Sequence, residues 1–346
     1  MFRVLLCAIL ASAGFAQRRQ EPRPPYPYSS EDVVFENRAA TIHLAATLTL
    51  PPGKGPFPAA VLLNGSGRQD RDDTIFGHKL FLVIADYLTR NGIAVLRYDD
   101  RGEGGSSGDY DAATTADLST DAEAALAYLQ TRAAVDPKRI GFIGHSEGGV
   151  IGPMVAARNS SVAFVVSLAG NGVKGGDVLY AQGRAIRRAA GASEAELDGD
   201  RAMHNRIMAA MDLSDRAQAA KALGGIFGDS PAAQAQIKAM LGPWMRFFIT
   251  YDPAVALEKV KCPVLALNGD RDMQVIADQN LPAWEAALKK AGNRDVTVRK
   301  LPGLNHLFQT CVKCAPDEYS EIEETISPKA LEIVADWLQQ RFGPAR

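Results

Sequence analysis

The sequence has little of what several function classes require. Four of its 346 residues are cysteine, and the C-x-x-C formed by Cys311 and Cys314 has no second pair to complete a zinc site. The formal net charge is −2 and the basic residues are scattered, so we expect no nucleic-acid partner. No G-x-G-x-x-G follows the first buried apolar run, which argues against a dinucleotide site. We therefore expect neither a cofactor nor a metal.

Long apolar runs are also lacking beyond the amino terminus. Residues 4–10 are apolar and lie between a basic start at Arg3 and small residues ending at Ala16, the pattern of a secretory signal peptide. This run is too short to span a bilayer. We expect an exported protein, periplasmic or secreted, that loses residues 1–16 and has no stable membrane insertion; a buried amino-terminal strand or a retained anchor is the alternative. Residues 17–30 are rich in proline and arginine and are expected to form a disordered lead-in.

Export has a consequence for the three cysteines that follow the signal segment. It permits a disulfide, and we favour a local one between Cys311 and Cys314, with two free thiols as the alternative. Cys262 opens a predicted strand and is interpreted as a small core residue. The sequence leaves the oligomeric state open.

What the chain does contain is a repeated alternation of short apolar runs with helical spacing. Buried strands are predicted at residues 59–63, 93–96, 140–143, 163–168, 264–267 and 296–301, and an early antiparallel strand at 41–50. The alternation predicts an α/β fold with a mostly parallel sheet covered by helices on both faces. It stops between residues 173 and 250, where an alanine-rich segment predicts a helical cap inserted into a core of 31–172 and 251–346.

One stretch organises the rest of the chain. Residues 144–148 read Gly-His-Ser-Glu-Gly, a G-x-S-x-G match with a predicted strand before it and a helical pattern after it. In that context the serine sits on a strained turn and its hydroxyl projects from the end of the sheet. We predict that Ser146 is a nucleophile; a glycine-rich turn with an incidental serine is the alternative. His145, beside it, is interpreted as structural.

A serine hydroxyl needs a base in contact and a third group that orients the base. Of the five histidines, only His204 and His306 follow Ser146, and His306 stands in a loop just after the last predicted strand. We predict His306 as the base, since His204 lies within the cap. The loop after the preceding strand offers Asp270 and Asp272. We favour Asp272, which has room to turn toward the histidine loop, and interpret Asp270 as a turn residue.

Acyl transfer also needs hydrogen-bond donors for the developing oxyanion. We predict the backbone N–H of Glu147, directly after the serine, and that of Ser66 in a glycine-rich loop; a simple turn is the alternative for that loop. Trp244 and Phe247 lie at helical spacing in the cap and are either core residues or part of a substrate pocket. The charged run at 69–73 is expected to be a solvated loop at the rim of the site.

Together these motifs resemble the α/β-hydrolase superfamily over about residues 41–342. More closely they look like the bacterial serine-hydrolase group described as serine-aminopeptidase-like or dienelactone-hydrolase-like, which includes carboxylesterases. The stretches that carry the resemblance are Asn64-Gly65-Ser66-Gly67, Tyr98-Asp99-Asp100-Arg101-Gly102, Gly144-His145-Ser146-Glu147-Gly148-Gly149, Gly269-Asp270-Arg271-Asp272 and Gly303-Leu304-Asn305-His306. One departure is Asn64, where many relatives begin the loop with histidine.

The resemblance implies an eight-stranded type of sheet with a helical cap, and it adds weight to Asp272 as the acid. It further implies cofactor-free hydrolysis of small-molecule carboxylic esters by a triad of Ser146, Asp272 and His306. A peptidase or aminopeptidase, or a thioesterase, using the same triad is the alternative. A non-catalytic binding protein with this fold is the remote one, because one superfold hosts many functions.

Overall fold

An eight-stranded sheet forms the centre of the chain in the computed structural model, which describes residues 18–343. The expected signal peptide, residues 1–16, lies outside the described residues. The strands are β1 (Ser29–Asn37), β2 (Ile42–Leu50), β3 (Phe57–Leu63), β4 (Thr74–Ile75), β5 (His78–Lys79), β6 (Ala94–Tyr98), β7 (Val135–His145), β8 (Val165–Leu168), β9 (Val264–Gly269) and β10 (Val296–Leu301).

The sheet has the order β1-β2-β6-β3-β7-β8-β9-β10, and β4 pairs with β5 in a separate two-stranded hairpin. β2 runs antiparallel to β1 and to β6, whereas every further pair in the order, from β6–β3 to β9–β10, is parallel. This arrangement confirms the predicted mostly parallel sheet. The central strands β3, β6, β8 and β9 are buried along nearly their whole length because helices cover both of their faces. β1 alternates exposed Val34 with buried Phe35, as an edge strand with one solvated face does.

The described residues form twelve α-helices, none of which has both the length and the apolar character needed to cross a bilayer. They are α1 (Leu80–Arg90), α2 (Thr115–Gln130), α3 (Gly148–Ala156), α4 (Gly175–Ala189), α5 (Glu194–Asp198), α6 (Asp200–Met211), α7 (Arg216–Phe227), α8 (Pro231–Met240), α9 (Pro243–Thr250), α10 (Ala254–Leu257), α11 (Ala277–Lys290) and α12 (Pro328–Phe342). A 3₁₀ helix spans Pro316–Glu321.

Two apolar cores sandwich the sheet, and a third lies in the cap. Helices α2, α3 and α11 bury apolar side chains on one face of the sheet, and α1 and α12 do so on the other. Residues 173–250, the segment expected to form the cap, contain helices α4 to α9. These helices share their own core, which includes Ile207, Leu223 and Ile237. The cap leaves the sheet after β8 and returns before β9, so it emerges at the carboxyl edge of the parallel strands.

The expected disorder of the lead-in over 17–30 is wrong for its described part. The guanidinium of Arg18 donates to the carbonyl oxygen of Ser320 at 2.6 Å, and the amide nitrogen of Gln20 donates to that of Ile326 at 2.8 Å. Low hydrophobicity predicts disorder only when polar side chains lack fixed partners. Here they satisfy carbonyl groups of a segment close to the carboxyl terminus, which composition does not reveal.

The turn at residues 144–148, called here the serine turn, packs against its neighbours at backbone contact. A methyl group on Gly148 would lie 2.0 Å from the carbonyl oxygen of Leu63, and one on Gly144 would lie 2.0 Å from that of Gly148. Neither position has room for a side chain, because the nearest neighbours of both are rigid backbone atoms. The two glycines therefore allow α3 to start directly against the ends of β3 and β7.

Gly148→Ala should destabilise the protein by about 3 kcal/mol, since the methyl group forces the backbone apart. The matched control is Gly225→Ala in α7, where a methyl group would meet no atom within 4 Å. That control should gain about 0.5–1 kcal/mol from helix propensity. Denaturant unfolding followed by circular dichroism measures both. Equal midpoints for the two variants would contradict the close approach at the serine turn.

Candidate active site

The carboxyl edge of the sheet brings Ser146, Asp272 and His306 together. Ser146 follows β7, Asp272 follows β9 and His306 follows β10, and parallel strands end at the same edge. The Nε2 atom of His306 lies 3.1 Å from the Oγ atom of Ser146. The Nδ1 atom of His306 lies 2.8 Å from the Oδ2 atom of Asp272. The three side chains thus form one continuous hydrogen-bonded chain.

Ser146 holds an unfavourable backbone conformation. Its φ angle is 52°, in the left-handed region that residues other than glycine rarely occupy. The backbone N–H of Ser146 donates to the carbonyl oxygen of Leu168 in β8 at 2.8 Å, which fixes the turn. Such strain persists only where the surrounding structure holds it, and it is found at functional sites. The result is a half-buried hydroxyl directed at His306.

Asp272 is a buried carboxylate, 4% exposed, with four hydrogen-bond donors around it. Its Oδ1 atom accepts the backbone N–H groups of Gln274 at 2.7 Å and Val275 at 2.9 Å. Its Oδ2 atom accepts the side-chain amide of Asn268 at 3.1 Å as well as the imidazole of His306. Donors on both oxygens of a carboxylate fix its orientation. Asp272 is therefore suited to orient an imidazole.

The other aspartate considered as the acid, Asp270, contacts a different part of the site. Asp270 is exposed, and its Oδ1 atom accepts the backbone N–H of Gly303 at 2.7 Å, at the start of the loop that carries His306. The same loop is closed at its other end by the backbone N–H of Cys311, which donates to the carbonyl oxygen of Gly303 at 3.2 Å. Cys311 is bonded to Cys314 in the favoured local disulfide. Asp270 thus braces the loop and does not contact the imidazole.

The two predicted oxyanion donors are backbone N–H groups. They belong to Glu147, at the start of α3, and to Ser66, in the loop after β3. Among residues 18–343, neither N–H donates to a backbone carbonyl, so both are available to an acceptor. An oxyanion site requires donors that are fixed before the charge develops, and this role of the two groups stays a prediction.

The loop that carries Ser66 is held in place by hydrogen bonds to buried side chains. The side-chain amide of Asn64 donates to Oδ1 of Asp100 at 3.0 Å, and the backbone N–H of Gln69 donates to Oδ2 at 2.9 Å. Burial raises the pKa of Asp100 well above its usual range, although these two hydrogen bonds oppose the shift. The hydroxyl of Tyr110 accepts the backbone N–H of Gly67 at 2.9 Å. Asn64 thus serves as a brace for this loop.

The side chain of Glu147 is a functional element that the sequence analysis missed. It is 2% exposed, and its carboxylate accepts the indole N–H of Trp244 at 2.8 Å and the hydroxyl of Thr115 at 2.6 Å. Burial raises the pKa of Glu147, while hydrogen bonds from Thr115, Trp244 and Ser66 act in the opposite direction. The signal available in the sequence was an acidic residue at the buried start of α3. This carboxylate ties cap helix α9 to the serine turn.

The two aromatic residues considered for a substrate pocket have separate places. Trp244 binds Glu147 and stacks on Phe248, with ring centroids 5.4 Å apart. Phe247 lines a cavity of about 10 Å³, room for about one water molecule, between the cap and the serine turn. The other residues around this cavity are Thr115, Glu147, Val150, Asn171, Phe248 and Tyr251.

A larger cleft of about 620 Å³ lies between cap and core, but it contains none of the three hydrogen-bonded residues. Its lining includes Tyr180, Arg184 and Arg201 of the cap and Gln279 of α11. We place the candidate site at the hydrogen-bonded chain of three residues and not at this cleft. Catalysis requires reacting groups in contact, and the cleft does not contain them.

The charged run at 69–73 is not the solvated loop that we expected. Arg71 pairs with Asp99 at 2.7 Å, and Asp73 is fully buried. The Oδ2 atom of Asp73 lies 3.5 Å from Nδ1 of His145. The run is ordered because it packs over the end of β6 and supplies charges to partners that are distant in the sequence.

Comparisons with known proteins add to this geometry. A family model described as X-Pro dipeptidyl-peptidase (S15 family) matches residues 40–302, well over half of the chain. The esterase EstD of Thermotoga maritima is 27% identical over 309 residues, which cover 88% of this chain and 68% of that protein. The family match spans β2 to β10, the cap, Ser146 and Asp272, and it ends before His306.

Solved structures share the fold at low identity. The esterase Pf2001 of Pyrococcus furiosus superposes with a TM-score of 0.58 at 14% identity, covering 91% of this chain and 92% of that one. Est1E from Butyrivibrio proteoclasticus, solved with ferulic acid, gives a TM-score of 0.51 at 18% identity, covering 89% and 96%. At such identities the likeness shows the fold alone. Taken with the family match, it shows that the chain belongs to the X-Pro dipeptidyl-peptidase (S15) family and is a hydrolase with the α/β-hydrolase fold.

Proposed function

We propose that the protein hydrolyses carboxylic esters of small molecules through an acyl-enzyme formed on Ser146. The observation that carries the proposal is the unbroken chain from Asp272 through His306 to Ser146, at 2.8 and 3.1 Å. A serine activated by an oriented base is the arrangement that acyl transfer needs. The esterase EstD, as a relative over most of the chain, supports ester chemistry.

The roles follow from the contacts. The Oγ atom of Ser146 attacks the ester carbonyl while Nε2 of His306 takes its proton. Asp272, held by its own donors, keeps the Nδ1–H of His306 in place and stabilises the imidazolium. The N–H groups of Ser66 and Glu147 bind the oxyanion. His306 then returns its proton to the leaving alcohol, and a water molecule activated by His306 releases the acid.

The cap favours short acyl groups. The cavity beside the serine turn holds about 10 Å³; Phe247 closes it from the cap side and Tyr251 from the segment just after the cap. An acyl group larger than acetyl would have to displace these rings. We therefore assign short-chain esters as the preferred substrates.

Peptide hydrolysis is the second candidate. The family match favours it, and the same triad can cleave an amide.

Export belongs to the proposal as well. A disulfide between Cys311 and Cys314 suits an oxidising compartment, in line with the signal-like segment at 1–16.

Ser146→Ala should abolish hydrolysis of p-nitrophenyl acetate and labelling by a fluorophosphonate probe, because the nucleophile is gone. His306→Ala should lose nearly as much, and the double variant should be no worse than either single one, since a triad acts as a unit. A parallel assay with a dipeptidyl anilide ending in proline separates esterase from peptidase. Near-normal ester turnover in folded Ser146→Ala would refute the proposal.

Asp272→Asn should lower turnover by up to ~10⁴-fold, because the imidazole loses its orienting carboxylate. Asp270→Asn is the matched control. The asparagine oxygen can still accept the N–H of Gly303, so this variant should keep most of its activity. Initial rates with p-nitrophenyl acetate, together with circular dichroism to check folding, give the comparison. If Asp270→Asn were the more damaged enzyme, the acid would be misassigned.

Phe247→Ala should shift preference toward longer acyl chains, because it removes one wall of the small cavity. Relative kcat/KM across p-nitrophenyl esters of rising chain length should change by about 10–200-fold, as for other hydrophobic pocket contacts. Trp244→Phe is the comparison, because it keeps a ring but loses the N–H that binds Glu147. It should retain the parent profile and lose about 1.5–3 kcal/mol of stability. An unchanged profile in Phe247→Ala would place acyl selectivity elsewhere.

A further inference from the structure

A second aspartate–histidine pair lies directly beneath the proposed triad. Asp73 is 0% exposed and His145 is 1% exposed. The Oδ2 atom of Asp73 lies 3.5 Å from Nδ1 of His145, which is an ion-pair distance and long for a hydrogen bond. The pair is enclosed by the loop after β3, since a methyl group on Gly65 would lie 3.4 Å from the same Nδ1 atom.

The other nitrogen of His145 reaches the proposed base. Nε2 of His145 lies 3.1 Å from the backbone carbonyl oxygen of His306, and the two imidazole rings have centroids 4.9 Å apart. His145 therefore faces an acceptor on each side, the carboxylate of Asp73 and the carbonyl of His306. A neutral imidazole has one N–H, so either tautomer would turn a lone pair toward an acceptor. Only the imidazolium donates to both.

The burial of Asp73 also favours the protonated form of His145. Within the described residues its carboxylate oxygens have no hydrogen-bond donor, so His145 is the group positioned to offset its charge. An unpaired buried carboxylate is strongly unfavourable. Burial alone would lower the pKa of His145, but the Asp73 carboxylate outweighs it, with help from the His306 carbonyl and Asp272, and the pKa is raised.

The charged groups around the pair come from neighbouring loops. Asp272, in the loop after β9, favours a cation at His145, whereas Asp100, in the loop after β6, interacts with the Asp73 carboxylate. His306 opposes that cation only when it takes up a proton during turnover. Asp72, next to Asp73 in the chain, is paired with Arg97.

We propose that Asp73 and His145 form a buried carboxylate–imidazolium pair that positions His306 through its backbone carbonyl and that must stay charged for full activity. The inference rests on the proposed roles of Ser146 and His306. When His145 loses its proton at high pH, the donor to the carbonyl or the donor to Asp73 is lost, and the loop that carries His306 loosens. Turnover should then fall while KM changes little, because substrate contacts are untouched.

The pH dependence of kcat tests this role. Wild-type enzyme should show an alkaline limb, and Asp73→Asn should move that limb down by about one pH unit or more, because an opposite charge is removed from the imidazolium. His145→Gln should lose several-fold activity near neutral pH and show no such limb, since an amide donates to the carbonyl without titrating. Asp70→Asn is the matched control on the same loop, with the same charge change away from His145, and should keep the wild-type profile.

Coincident profiles for folded Asp73→Asn and wild type would overturn the proposal, as would an alkaline limb retained in His145→Gln. A second measurement needs neither activity nor a stable variant at Asp73. In ¹⁵N-histidine-labelled wild-type protein, one of the five histidines should carry protons on both nitrogens at about pH 8, where an unperturbed imidazole is neutral. Its signals should be missing from His145→Gln.

If every histidine is neutral at that pH, the charged pair does not exist. This result is independent of the esterase proposal, because it reads protonation directly. If instead Ser146→Ala proves active while the doubly protonated histidine is observed, the proposed triad fails and the pair remains as a feature of the fold.

Discussion

The close approach of backbone to backbone at the serine turn is the constraint on which the rest of the site depends. At Gly144 and Gly148 only a hydrogen atom fits between the turn and its neighbours. The chain reverses there with Ser146 in a left-handed conformation, held by a hydrogen bond to β8. The hydroxyl then projects from the sheet edge where the loops after β9 and β10 also emerge.

The serine turn links the sheet to the cap, because the backbone and the side chain of Glu147 belong to different parts of the molecule. Among the described residues the backbone N–H of Glu147 donates to no backbone carbonyl, whereas its carboxylate is buried against α2 and cap helix α9. A displacement of Trp244 would leave a buried carboxylate with one donor fewer, which is unfavourable. The position of the cap is thereby coupled energetically to the geometry of the proposed oxyanion donors.

Buried acids surround the loop after β3, and each is matched by a different kind of partner. Asp100 accepts an amide and a backbone N–H, Glu147 accepts an indole and hydroxyl groups, and Asp73 faces an imidazole. Neutral donors allow burial to raise the pKa values of Asp100 and Glu147. Asp73 instead faces an imidazole, which can gain or lose a proton. We therefore assign the pH dependence of the site to the pair that Asp73 forms with this imidazole.

The sequence by itself determined the features that depend on residues close to one another in the chain. The buried parallel strands, the turn with Ser146 and the loops with His306 and Asp272 were predictable, because strand periodicity and turn glycines act over a few residues. The structure brings those three side chains into contact. Tertiary structure alone decided that Asp73 is buried, that the lead-in is ordered, and that Glu147 binds Trp244, 97 positions away. These features depend on which distant groups meet at the sheet edge, and no local pattern of the chain records that.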